Sequence, residues 1–375
     1  MNRSFTLNAA YFLAALFAIG AGGCSATNAP ATLPVQTNSV THTAQSAQTG
    51  TPALHAFTAG VTPGFLSTAH AWDIAPGPND SVWFTDTGTP AIGSIEAGTV
   101  REYTGLPANA RPYSIVVAPN RMAWFTDSGT ASIGRISPAG VVKEFSNPRL
   151  SGSFPQDVTI APDGSVWFIA VGTTAFLAHV DRADRVHAAA LPSTLSPDGS
   201  LIADKSGSLW FLATNANQKA VLVQRLTDGT LVRHPTELSA AAEPCCPNLA
   251  PKRLTIGPDG NVWFTTLNYI KESSPANWIV TAAAPALQYF YVHDGSITYS
   301  VYPSGITASG TKLWFTGDDP FQLNGGLWSM KTDGAMVAYP VNYNPAGLTT
   351  ATDGSLWFTS DFGGQPSAIV HAIIK

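Results

Sequence analysis

Three carboxylates are placed where they could do chemistry in this 375-residue chain. Asp86 and Asp127 each follow a Trp-Phe-Thr triplet, and Asp157 stands at the head of an alternating apolar run. Oxygen donors of this type, brought to one point, would hold a divalent cation such as Mg2+ or Ca2+. The competing reading has the same side chains accepting hydrogen bonds from turn backbones, as Asp commonly does. His70, two residues before Trp72, carries the side chain best suited to general-base work near neutrality, although a loop histidine is more often inert. Lys252 and Arg253 form the only adjacent basic pair; they either receive an anionic group of a ligand or stay solvated.

Cys245 and Cys246 sit in Glu243-Pro-Cys-Cys-Pro247. In an oxidising compartment such a pair closes a strained vicinal disulfide, with free thiols as the alternative. Tyr269 and Trp278 fall in the interval Leu267–Pro285, and Phe321 in a further enlarged loop, Gly317–Gly326. Loop aromatics there either anchor a ligand, a glycan or a partner protein, or pack together as a roof. No Gly-x-Ser-x-Gly elbow, P-loop or His-Glu-x-x-His is present, so the chemistries those motifs mark lack support.

Only 11% of residues are charged, against about 25% in an ordinary domain. The net charge of −5 excludes the basic footprint of a nucleic-acid binder. Apolar residues make up 45%, and Gly and Pro number 33 and 28, so a large core is available and turns are frequent. Three cysteines are too few for a disulfide scaffold. Arg3 precedes an eleven-residue apolar run, Ala9 to Ile19. That is shorter than the ~20 residues a membrane span needs and fits the core of an export signal. Ala21-Gly22-Gly23 then leads into Cys24, which resembles a bacterial lipoprotein signal and makes Cys24 the expected lipidation site. Residues 1–24 are thus read as a signal and 25–52 as an Ala/Thr/Ser/Gln-rich tether, with no Asp, Glu, Lys or Arg between Arg3 and Asp73. Such a segment buries too little apolar area to offset its ordering entropy.

The elements that position these residues are set by an internal repeat. Trp-Phe recurs at Trp83, Trp124, Trp167, Trp210, Trp263, Trp314 and Trp357, at intervals of 41, 43, 43, 53, 51 and 43 residues. Each pair follows an alternating apolar run and a turn, as in Asp157-Val-Thr-Ile-Ala-Pro-Asp-Gly-Ser-Val-Trp-Phe168. A third run (Ala131-Ser-Ile-Gly-Arg-Ile136) and a fourth (Val141-Val-Lys-Glu-Phe145) come after it. Four short strands per repeat at this period predict an all-β, seven-bladed β-propeller over residues 53–375. The Asp-Gly steps at Asp163, Asp259 and Asp353 are expected to supply the positive φ of two-residue hairpins. The seventh repeat runs out of chain after three strands, so Leu54–Thr58 is expected to supply the fourth, which removes an open edge. The long intervals are read as an inter-blade connection, Thr236–Pro251, and a strand-to-strand loop, Leu267–Pro285.

The frame resembles the virginiamycin B lyase family, most clearly from Asn109-Ala-Arg-Pro-Tyr-Ser-Ile115 through Trp124-Phe-Thr-Asp127 to Ile133-Gly-Arg-Ile136. The resemblance implies magnesium-dependent elimination across the ester C–O bond of a cyclic depsipeptide, with a histidine base in Pro-His-Gly or Pro-His-Ala motifs. The corresponding slots here hold Trp72, Tyr113, Gln156, Lys252, Ser304 and Ala346, with Gly199 in the fourth repeat. None is histidine. Tyr113, with an ordinary pKa near 10, would need a strong downward shift to replace one. The leading expectation is therefore an exported envelope protein that binds a small molecule, glycan or envelope protein on the face carrying Trp72, Gln156, Lys252, Arg253 and the loop aromatics. It would act as a monomer, touch the membrane only through a lipid anchor and bind no nucleic acid. The alternative is a divergent metal-dependent C–O lyase or lactonase built on Asp86, Asp127 and Tyr113, with His70 as a further base.

Overall fold

The strand that carries Trp-Phe-Thr shows why the repeat folds as it does. Val82–Asp86 and Ala123–Asp127 are buried at every position, so this strand has no solvent face. Its Phe is fully buried in every repeat: Phe84, Phe125, Phe168, Phe211, Phe264, Phe315 and Phe358 are at most 1% exposed. Phe84 and Phe125 lie directly over Gly93 and Gly134 of the third strand, where an added Cβ would meet the ring. The Trp of one repeat packs in a shared apolar cluster with the Phe of the next. Trp83 joins Phe125, Trp124 joins Phe168, and Trp314 joins Phe358. Fourth-strand aromatics back these tryptophans, with Trp83 stacked on Tyr103 and Trp124 on Phe145.

The computed structural model describes residues 52–217, 220–235, 250–267, 278–283, 286–291, 302–318, 326–360 and 366–374. Their strands form seven four-stranded antiparallel sheets. Six sheets take their strands in chain order; in the remaining one Ala53–Thr58 pairs with Ala368–Ile373, so the two ends of the described chain share a sheet. The one helical element among the described residues is a single 3-10 turn, Pro148–Leu150. The fold is an all-β propeller.

Two local expectations are corrected. At Asp163 the turn is not a two-residue hairpin. Gly164 N donates to Ala161 O and Ala161 N to Ser165 O, and only Gly164 has positive φ. This is a type I turn followed by a left-handed glycine, which also matches the twist of the flanking strands. Asp163 stays right-handed because its carboxylate accepts from Ser165 N at 2.9 Å. The interval Leu267–Pro285 is also not all loop, since it contains the third strand of its repeat, Trp278–Ala283. Trp278 therefore opens a strand. Residues 1–51, including Cys24, lie outside the described residues, as do Cys245, Cys246, Tyr269 and Phe321.

Candidate functional site

All seven first strands of the sheets break register at the same place. The shift falls between Ala71 and Ile74, Pro112 and Ile115, Pro155 and Asp157, and Pro197 and Leu201. It recurs between Pro251 and Leu254, Pro303 and Ile306, and Pro345 and Leu348. A bulge of this kind re-aims side chains that a regular strand would send into the sheet faces. The slots Trp72, Tyr113, Gln156, Lys252, Ser304 and Ala346 lie inside these bulges, and Gly199 lies inside the fourth. The residues next in line, Asp73, Ser114, Asp157, Ser200, Arg253, Gly305 and Gly347, surround a channel cavity of about 200 Å³. Five carry polar or charged side chains, and two carry none.

The two glycines are required by how the sheets are joined. Thr316 Oγ1 donates to Ala346 O at 3.1 Å and accepts from Gly305 N at 2.8 Å. Thr359 Oγ1 does the same with Trp72 O at 3.0 Å and Gly347 N at 2.9 Å. A Cβ at Gly305 would come within 2.7 Å of Ala346 O, and one at Gly347 within 2.9 Å of Trp72 O. The threonine of Trp-Phe-Thr is thus a clamp between consecutive repeats, with Thr85, Thr126 and Thr265 donating to Tyr113 O, Gln156 O and Ser304 O. Repeats three and four have fully buried Ile169 and Leu212 in its place. There the channel side chains make the link: Asp157 Oδ2 accepts from Leu201 N at 2.7 Å, and Ser200 Oγ from Leu254 N at 3.0 Å.

The charged arc of the channel is a small network. Arg253 places its guanidinium 3.7 Å from Asp73 Oδ1 and 4.0 Å from Asp157 Oδ1. Asp73 Oδ2 also accepts from Ile115 N at 3.1 Å, and Asp157 Oδ1 accepts the Ser114 hydroxyl at 2.6 Å. Burial pushes Asp157 up to about 6, with Arg253 opposing and Asp73 adding. Burial acts against the charge of Arg253, but Asp73, Asp157 and Tyr113 outweigh it and raise the guanidinium further. Beside this network, at the start of the strands, Trp72 and Tyr113 face each other with ring centroids 5.5 Å apart. Trp72 is 36% exposed. Burial also raises Tyr113, with Arg253 opposing and the two aspartates adding.

Not all the residues singled out in the sequence are brought together. Asp86 Oδ1 accepts from the backbone N–H of His70, Gly88 and Thr89. Asp127 Oδ1 accepts from Arg111, Gly129 and Thr130. Both are fully buried and organise the loops beside them, whereas Asp157 faces the channel. Among the described residues no three Asp, Glu, His or Cys side chains converge to hold a metal. His70 is exposed in the loop ahead of Ala71–Pro76. Tyr113 reaches the channel network but stays a phenol at neutral pH, because its pKa moves up rather than down. Gln156 lies against Gly199 of the next repeat. Arg253 is in the channel with its charge committed to two carboxylates, and Lys252 and Trp278 are placed by their backbone alone. Asp73, Ser114 and Ser200 were missed. Their signal was the position after each slot, which the strand period alone assigns to the wrong face.

The sequence profile of the virginiamycin B lyase family matches residues 58–265. The chain belongs to this family. No curated protein sequence matches it. Among solved structures, a streptogramin B lyase is 22% identical, with a TM-score of 0.66, over 86% of this chain and 98% of the other. A catalytically inactive histidine-to-alanine variant of virginiamycin B lyase from Staphylococcus aureus, solved with quinupristin, is 20% identical. Its TM-score is also 0.66, over 86% of this chain and all of the other. A more distant neighbour, YCF48 bound to D1 peptide, is 14% identical with a TM-score of 0.61, over 87% of this chain and 98% of that one. At these identities the structural likenesses establish the propeller fold; the family membership rests on the profile.

Proposed function

We propose that this virginiamycin B lyase-family chain is a seven-bladed ligand-binding propeller without the family's histidine chemistry. The observation that carries the reading is the Trp72–Tyr113 pair standing over the Asp73–Arg253–Asp157 network. An exposed indole beside a protonated phenol offers a stacking face and a hydrogen-bond donor, which suits a small molecule or a glycan ring. The same geometry disfavours elimination. Proton removal from carbon needs a group titrating near neutrality, and Tyr113 is shifted away from it. Asp157 does titrate near there, but both its oxygens already accept hydrogen bonds.

Seven blades are supported by the seven sheets and by closure contacts between the last repeat and the first. Trp357 shares a cluster with Phe84, and Thr359 donates to Trp72 O. Export through residues 1–24, anchoring at Cys24, a tether over 25–52 and a vicinal disulfide at Cys245 and Cys246 complete the proposal, on the sequence features described above. The protein then stands in the bacterial cell envelope as a lipid-anchored monomer. The test is a glycan and small-molecule binding screen on the purified full chain, repeated with Trp72→Ala. Every ligand of the channel mouth should lose about tenfold or more in affinity, the size of one lost stacking contact of ~1.4 kcal/mol or above. Hits that bind Trp72→Ala equally well would refute the site.

A further inference from the structure

Away from the channel, the outer edge of the third sheet carries a second concave feature. A cavity of about 320 Å³ is lined by Asn147, Arg149, Trp167, His179, His187 and Arg225, with Leu177 and two alanines completing its wall. Trp167, His179 and His187 are register partners on three consecutive strands. Their rings form a continuous stack, 4.4 Å from Trp167 to His179 and 5.0 Å from His179 to His187. Arg225, from the fourth repeat, lies 4.6 Å over the face of Trp167. Arg149 enters from the 3-10 turn Pro148–Leu150 and is tied by one nitrogen to Ala188 O at 2.8 Å.

The charge in this cavity is one-sided. Neither Arg149 nor Arg225 pairs with a carboxylate among the described residues; Arg225 donates only to Leu226 O, at 3.2 Å. Of the acids around the cavity, Asp181 is already taken by His187 Nε2 and the Arg185 guanidinium, both at 2.9 Å, and Asp228 acts on Arg225 without an ion pair. Two cations have thus gathered on an aromatic floor in a protein of net charge −5. Guanidinium groups left with open donors recognise oxyanions with charge-assisted hydrogen bonds. The stacked rings turn their faces to one another and to Arg225, which leaves their edges to meet the face of a ligand ring.

We propose that this cavity is a binding site for a small molecule that joins an oxyanion, phosphate or carboxylate, to a flat ring. The oxyanion sits between Arg149 and Arg225, and the ring lies along the Trp167–His179–His187 stack. Partial burial already lowers Arg225, with only Asp228 opposing. It also lowers His179, with His187 and Arg225 adding and Asp181 and Asp163 opposing. A bound anion relieves both, so binding tightens as the pH falls and His179 takes up a proton.

The experiment is a histidine-detected NMR titration of the full chain with phenyl phosphate, benzoate and uncharged phenol. The His179 and His187 signals are assigned through His179→Gln and His187→Gln. The two anions should shift both rings and raise the His179 pKa by roughly half a unit or more, while phenol leaves them in place. Arg225→Gln and Arg149→Gln should each weaken phenyl phosphate by about tenfold. Unmoved histidine signals at millimolar anion would overturn the proposal. So would equal binding by the two arginine variants, or a response to phenol as large as that to the anions.

Discussion

Arg253 sits against two carboxylates rather than facing out to receive a ligand's charge. Asp73 and Asp157 both lie within 4.0 Å of its guanidinium, and Asp157 is lifted to about 6 by burial, with Asp73 adding. Glu102 is a second such group. One of its oxygens accepts from Leu66 N, the other is buried with no partner among the described residues, and burial, with Asp86 adding, raises it to about 7. Both acids bind protons more tightly folded than unfolded. Their contribution to stability is therefore full below the unfolded values near 4 and is lost as the pH rises through about 6 for Asp157 and about 7 for Glu102. Glu102→Gln, which keeps an acceptor for Leu66 N, should flatten the fall in urea midpoint between pH 5 and 8. It should also stabilise the protein at the upper end by on the order of 1 kcal/mol. An unchanged pH profile would mean that Glu102 stays ionised in the fold. None of this was legible beforehand, because a Glu in an alternating outer strand reads as solvent-facing until its neighbours are placed.

At the scale of the element, the repeat motif is Trp-Phe-Thr rather than Trp-Phe. The aromatic pair was readable as core from its recurrence, and the structure puts Trp and Phe in clusters that join consecutive repeats. The clamp threonine was equally visible as a letter, but its role depends on the bulge that brings the next strand's carbonyl to it. Apolar alternation does not announce an extra residue. Thr359→Val should leave Gly347 N and Trp72 O without their partner, both now satisfied within 3.0 Å. The expected cost is about 1–3 kcal/mol in chemical denaturation. The natural Ile169 and Leu212 show that an apolar residue fits the space, so steric clash will not confuse the reading. A loss below a few tenths of a kcal/mol would show that Thr359 does not clamp the two repeats. The repeats lacking threonine are those in which Asp157 and Ser200 bridge forward. Asp73 makes the same forward bridge to Ile115 N although its repeat keeps Thr85, so the channel side chains reinforce the clamp as well as replace it.

For the whole molecule, the repeat spacing foretold the all-β propeller and the pairing of both chain ends, and Ala53–Thr58 does pair with Ala368–Ile373. Residues were harder to place as the intervals grew longer: Trp278, assigned to a loop from spacing alone, begins a strand. Removing residues 1–58 should expose the edge of Ala368–Ile373 and strip Phe57 from the Trp357 stack. That form should aggregate or melt well below a form lacking only residues 1–51, as an unprotected strand edge invites. Equal melting temperatures would show that the first strand closes nothing.

As proposed above, this member of the virginiamycin B lyase family has kept the propeller and not the elimination. The most direct measurement is chromatography of a cyclic streptogramin B incubated with the purified protein and Mg2+. Ring opening gives a linear product of unchanged mass, recognisable by its retention and its new conjugated absorbance. Only the intact ring should be recovered. Enzyme-dependent appearance of the linear product would contradict it and would place a proton-abstracting base where the channel shows Trp72, Tyr113 and a buried, fully engaged Asp157.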